Sequence, residues 1–82
     1  MDLVALTEES VKSLVVNPDG VSVKEFPTEE ENVMLIQVMV EEDDIGRVIG
    51  REGRTANAIR TLVQASSALH ENKYIKIDID KF

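Results

Sequence analysis

The chain has no cysteine and a single histidine, His70. Without thiols it can form no disulfide, no thiolate metal site and no cysteine nucleophile. His70 falls in a turn with no serine or carboxylate constellation around it, and the sequence holds neither a P-loop nor a nucleophile–base pair. These absences argue against an enzyme, and no cofactor, metal or small-molecule substrate is expected. Long apolar runs are lacking too, none exceeding the stretch Val33 to Ile36, whereas a membrane span needs about 20 residues. The opening Met1-Asp2-Leu3-Val4 carries an acid where a secretory leader would be positive, so a cytoplasmic location is expected. Aromatic residues are few. Phe26, Tyr74 and Phe82 do not supply the stacking platform with which an RRM sheet holds bases.

Positive charge is scarce overall, with a formal net charge of −7, but it is unevenly placed. All four arginines (Arg47, Arg51, Arg54 and Arg60) fall between Ile45 and Arg60, where Glu52 is the only acid. That stretch carries +3, and the remainder therefore −10. Screening over roughly 8–10 Å at physiological salt lets a local positive patch act within a negative molecule. Charge clusters are often no more than a solvated helix face, so the residues between these arginines decide the reading.

The 82 residues suffice for one domain, spanning 1–82, with a modest core. Residues 2–16 read as a helix capped by Asp2, with Leu3, Thr7, Val11, Leu14 and Val15 at three- and four-residue steps. Asn17-Pro18-Asp19-Gly20 ends it. Val21 to Phe26 alternates as a strand stopped by Pro27, and Thr28–Asn32 makes a charged hairpin tip rather than a metal site. Val33 to Val40, nearly all apolar, reads as a central strand covered on one side by helices. In Glu41-Glu42-Asp43-Asp44, helix capping by Asp43 or Asp44 accounts for the acids better than a metal does. A short helix from Ile45 to Ile49 follows, then a glycine-bracketed loop. A longer helix runs from Arg54 to Leu69 with Ala56, Ile59, Leu62, Val63, Ser66 and Leu69 as its inner stripe. Tyr74 to Asp80 alternates cleanly, with Ile75, Ile77 and Ile79 facing in. The order α-β-β-α-α-β predicts an α+β fold, a three-stranded sheet with helices on one face.

The chemistry concentrates in Ile45-Gly46-Arg47-Val48-Ile49-Gly50-Arg51-Glu52-Gly53-Arg54. Two glycines three apart let the chain turn sharply and bring an anion close to the main chain. The following helix starts there with its positive dipole end, and Arg51 and Arg54 reinforce it. Such parts would clamp a sugar–phosphate backbone, with Ile45, Val48 and Ile49 as an apolar floor for unstacked bases and Arg47 and Arg60 supplying field nearby. An edge of the Val33–Val40 strand is expected to complete the groove. For a GxxG pair alone, a tight turn between two helices is the better reading.

The context favours the clamp. Val48-Ile49-Gly50-Arg51-Glu52-Gly53, followed by Ala56 and Ile59, resembles the signature of KH domains, whose GXXG loop clamps about four nucleotides. The element order is similar to the type II KH arrangement. Among KH proteins the chain looks like the stand-alone bacterial KhpA family, on the strength of Gly53-Arg54-Thr55 and Ala58-Ile59-Arg60 after the loop. The resemblance implies a single-stranded RNA-binding protein, an RNA chaperone or post-transcriptional regulator. It also implies a second KH protein, KhpB (or Jag), as partner, and a link to cell shape and cell-wall homeostasis. Two departures stand out: Glu52 places a carboxylate in the loop, and Ala56 is smaller than the residue often found there. Weak binding by one clamp on an acidic protein predicts dimerisation, because joining two sites raises avidity by about 10²–10⁴. The rival reading is a protein-interaction domain on a KH scaffold that has lost RNA binding.

Overall fold

Asp2 begins the first helix as the sequence predicts: its Oδ1 accepts the N–H groups of Val4 and Ala5 at 3.0 and 3.1 Å, satisfying donors that a helix start leaves free. The computed structural model describes residues 2–82. Helix α1 spans Leu3–Lys12 and buries Leu3, Thr7 and Val11. Thr7 is tolerated in the core because its hydroxyl donates to the carbonyl of Leu3 at 2.8 Å. The helix stops at Lys12, short of the expected residue 16. The reason is distant in sequence: the Val16 and Asn17 N–H groups donate to the Asp44 carboxylate rather than to carbonyls one turn back.

Strands β1 (Ser22–Phe26) and β2 (Val33–Val40) pair antiparallel across the 27–32 connection. Helices α2 (Ile45–Ile49) and α3 (Arg54–His70) then carry the chain across, so that β3 (Tyr74–Lys81) pairs parallel with β2. Parallel pairing requires such a crossover. The sheet order is β1-β2-β3, which makes β2 central. Its Met34, Ile36, Val38 and Val40 are buried beneath the helices, while Leu35, Gln37 and Met39 on the other face remain half-covered. The register aligns Ile36 with Ile77 and Val38 with Val23, so the three strands feed one core with Leu3, Val11, Val48, Ile59 and Val63 from the helices.

The inner stripe of α3 differs from the expected one. Ala56, Ile59, Val63 and Ser67 are buried, whereas Leu62 and Leu69 are 48 % and 81 % exposed and Ser66 is half-buried. The 56-59-63-67 spacing keeps to one face of a 3.6-residue helix, and 62 and 69 fall on a flank roughly 100–125° round from it. Small residues lie inside because α3 sits close on the sheet and packs against α1. Apolar character alone misplaced the leucines.

Candidate nucleic-acid interface

Helix α2 ends in a turn in which three of the four positions of the tetrapeptide have positive φ: Gly50 (76°), Glu52 (58°) and Gly53 (77°), Arg51 being the exception. The two glycines are required for different reasons. A Cβ on Gly50 would collide with the side chain of Thr55 and come within 2.8 Å of its backbone nitrogen, besides being strained by the φ angle. At Gly53 there is open space, and only the backbone angle demands glycine. The loop is tied internally by Gly50 N–H to the Gly46 carbonyl at 2.9 Å and Gly53 N–H to the Gly50 carbonyl at 3.2 Å. Helix α3 starts directly after it with no capping side chain, which leaves the positive end of a 17-residue helix open to an anion.

The arginines divide into two pairs. The Arg51 side chain is exposed on the loop and has no hydrogen-bond or ion-pair partner among the described residues, while its carbonyl accepts the Arg54 N–H. Arg54 reaches back to Glu52, Nη2 to Oε2 at 3.3 Å, with both side chains more than two-thirds exposed. Such an exposed pair is weak and readily exchanged for another anion. Arg47 and Arg60 are engaged with the scaffold. Arg47 donates from Nη1 to the Asp43 carbonyl at 2.7 Å and to Asp44 Oδ1 at 3.1 Å. Arg60 donates from Nε and Nη2 to the Ile77 carbonyl and from Nη1 to Asn57 Oδ1, all at 3.3 Å.

Asp44 shows why Arg47 is held. Its carboxylate is 3 % exposed and accepts the N–H groups of Val16 and Asn17 at 3.0 and 3.1 Å. It does not cap α2, as the sequence suggests, because those two N–H groups of the α1 exit claim it first. The Val16 N–H is the main cause of its lowered pKa, with the Asn17 N–H and the Arg47 charge adding to it against the opposing effect of burial. No local spacing announces this contact, since it joins residues 27 and 28 positions apart.

Below the loop, Val48 is fully buried in the core, while Ile45, Ile49 and Gly50 are half-buried at the surface. The strand beside α2 and α3 is β3, not the Val33–Val40 strand. With β2 central, both its edges are already paired, and the free edge facing α3 is that of β3. Side chains of α3 dress that edge: Arg60 on Ile77, and Gln64 on both the Lys73 carbonyl and the Ile75 N–H, each at 2.9 Å. Asn57, exposed, and Gln64, half-buried, escaped the sequence reading because an amide outside the apolar stripe carries no periodic signal.

An α-β-β-α-α-β chain with a parallel β2–β3 pair and a GXXG turn between α2 and α3 has the type II KH fold. Two solved structures agree: Era in complex with MgGDPNP and nucleotides 1506–1542 of 16S ribosomal RNA (TM-score 0.68, 17 % identity) and an Aquifex aeolicus Era variant bound to GDP·AlF4⁻ (TM-score 0.72, 18 % identity). They match over 96 % and 98 % of this chain, which spans 29 % and 30 % of theirs. The KhpA/KhpB KH domain model matches residues 5–79, and the chain belongs to this non-enzymatic family. Relatives named RNA-binding protein KhpA include those of Caldanaerobacter subterraneus (43 % identity; 90 % of this chain, 95 % of the relative) and Oceanobacillus iheyensis (45 %; 92 % and 96 %). No described helix is long and apolar enough to cross a membrane.

Proposed function

We propose that this protein binds single-stranded RNA, with the Gly50–Gly53 turn and the open N-terminus of α3 receiving the phosphate backbone. The observation that carries the reading is the conjunction of two positive-φ glycines, an uncapped helix start and an unpartnered Arg51 side chain at one point of the surface. Relatives named as RNA-binding proteins support it. Arg51 and Arg54 are the direct phosphate contacts, and Ile45 and Ile49 face the bases. The unit of function is one KH domain over residues 1–82, acting in the cytoplasm as an RNA chaperone. Its setting is a pair of KH proteins, the second of KhpB (Jag) type, that influences cell shape and wall homeostasis.

The test is fluorescence anisotropy of a short labelled single strand with wild type, Gly53→Asp and Gly50→Asp/Gly53→Asp. Thermal melts serve as the folding control, because Gly50 abuts Thr55 whereas Gly53 has room. Loss of binding by folded Gly53→Asp supports the clamp, and unchanged binding refutes it.

A second reading follows from Leu62 and Leu69, exposed on the outer face of α3. That apolar surface suits a second copy or a KH partner, and pairing would set two clamps on one RNA. If loop variants leave partner binding and biological effect intact, the domain acts as an interaction module and not through RNA.

A further inference from the structure

The helices cover one face of the sheet and leave the other open. On the open face the strand register arranges side chains in rows that cross all three strands. Lys24, Gln37 and Asp78 form the middle row. Phe26, Leu35 and Lys76 flank it on one side, and Ser22, Met39 and Asp80 on the other. Leu35, Gln37 and Met39 stay half-buried on the central strand, whereas Ile36 and Val38 on its covered face are fully buried. The outer strands differ in charge across the middle row, with Lys24 on β1 and Asp78 on β3. Lys24, Lys76 and Asp78 make no ion pair among the described residues. An apolar centre flanked by unpaired charges of opposite sign is a surface that a copy of itself can complement.

We infer that a second copy of this chain packs sheet to sheet on the open face, about a two-fold axis that runs along β2. Such an axis sets β1 of each copy over β3 of the other and keeps every row at its own level. Lys24 then meets Asp78 of the other copy, twice over by symmetry. In the next row the Phe26 ring, 40 % exposed, meets Lys76 of the other copy, a cation against an aromatic face. In the third row the Ser22 hydroxyl meets the Asp80 carboxylate. Along the axis Leu35 lies on Leu35 and Met39 on Met39, which takes apolar surface out of water. A two-fold axis across the strands would instead set Lys24 on Lys24 and Asp78 on Asp78, so the charges select one arrangement. Packed sheets stand about 10 Å apart and within about 30° of alignment. The outer strands lie only about 5 Å from the axis, where that angle shifts a side chain by about 2–3 Å, within the reach of a lysine. A patch three strands wide is small beside a permanent dimer interface, so the association is reversible. The helices of both copies face outward, and each Gly50–Gly53 turn stays free. Nothing in this pairing depends on whether that turn takes RNA.

The experiment is sedimentation velocity over the accessible concentration range, with Leu62→Glu in every chain so that a contact through α3 plays no part. Leu62, Lys24 and Asp78 are all exposed, and thermal melts check the fold of each chain. The Leu62→Glu chain is expected to dimerise. Adding Lys24→Asp or Asp78→Lys should weaken dimerisation by about tenfold or more, since like charges then face each other at two places. An equal mixture of those two chains should regain it, because one copy then offers two acids and the other two lysines. Gln37→Glu sets two carboxylates face to face on the axis with little change of shape, and it should weaken dimerisation as well. A Leu62→Glu chain that stays monomeric overturns the inference and gives the contact to α3. Undiminished dimerisation by the charge-reversal and Gln37→Glu chains, or no regain in the mixture, overturns it too.

Discussion

Glu52 is the residue at which the loop works against itself. It is a non-glycine residue at φ 58°, and its carboxylate takes up the Arg54 guanidinium that would otherwise be open to phosphate. Left-handed backbone costs a side-chain-bearing residue about 1–2 kcal/mol. Glu52→Gly should therefore raise stability by about 1 kcal/mol in chemical denaturation and tighten RNA binding, whereas Glu52→Gln should tighten binding without the gain in stability. Arg51 and Arg47 make a contrasting pair. Removing a phosphate contact lowers the slope of log affinity against log salt by about 0.7 for a single strand. Arg51→Ala should show that drop. Arg47→Ala should keep the wild-type slope and lower the melting temperature instead, because its partner is the Asp44 carboxylate. Asp44 also sets an acid limit. Its folded pKa lies below the ordinary carboxylate value, so its contribution is present above the unfolded pKa and is lost as pH falls through the folded one. Melting temperature followed downward from pH 6 should fall more steeply for wild type than for Asp44→Asn.

Elements were legible in the sequence wherever a single period governed them. The bounds of β2 and α2 and the start of α3 follow directly from a continuous apolar run, a glycine pair and helical spacing, and the cap of α1 follows from Asp2. Its end did not, since Val16 and Asn17 are held by a carboxylate contributed from the other side of the β1–β2 hairpin. The stripe of α3 was misread at Leu62 and Leu69 because exposed leucines are ordinary on protein surfaces, and close helix–sheet contact favours Ala56 and Ser67 inside. The loop was visible as a motif, but the identity of the strand beside it was not: parallel placement of β3 at the edge is a property of topology, not of local pattern. At this scale Ile36→Ala, which empties a fully buried position on the central strand, should cost about 2–5 kcal/mol in urea denaturation. Leu62→Glu should leave stability nearly unchanged and abolish self-association in sedimentation, if α3 provides the contact between copies.

For the whole molecule the governing fact is a net charge of −7 in which −10 surrounds a +3 segment. On the proposed reading most of the surface repels RNA and the turn where Arg51, the glycines and the α3 dipole coincide admits it, so binding should be short-ranged, local and sensitive to salt. The most direct measurement of that claim is a titration of the isotopically labelled protein with a short single-stranded RNA, following each backbone amide by NMR. Shifts should concentrate at residues 50–57 and along the neighbouring edge of β3, with the outer face of α3 and the β1–β2 tip unmoved. Shifts centred on Leu62 and Leu69 with a silent loop, or no shifts at high RNA concentration, would contradict it.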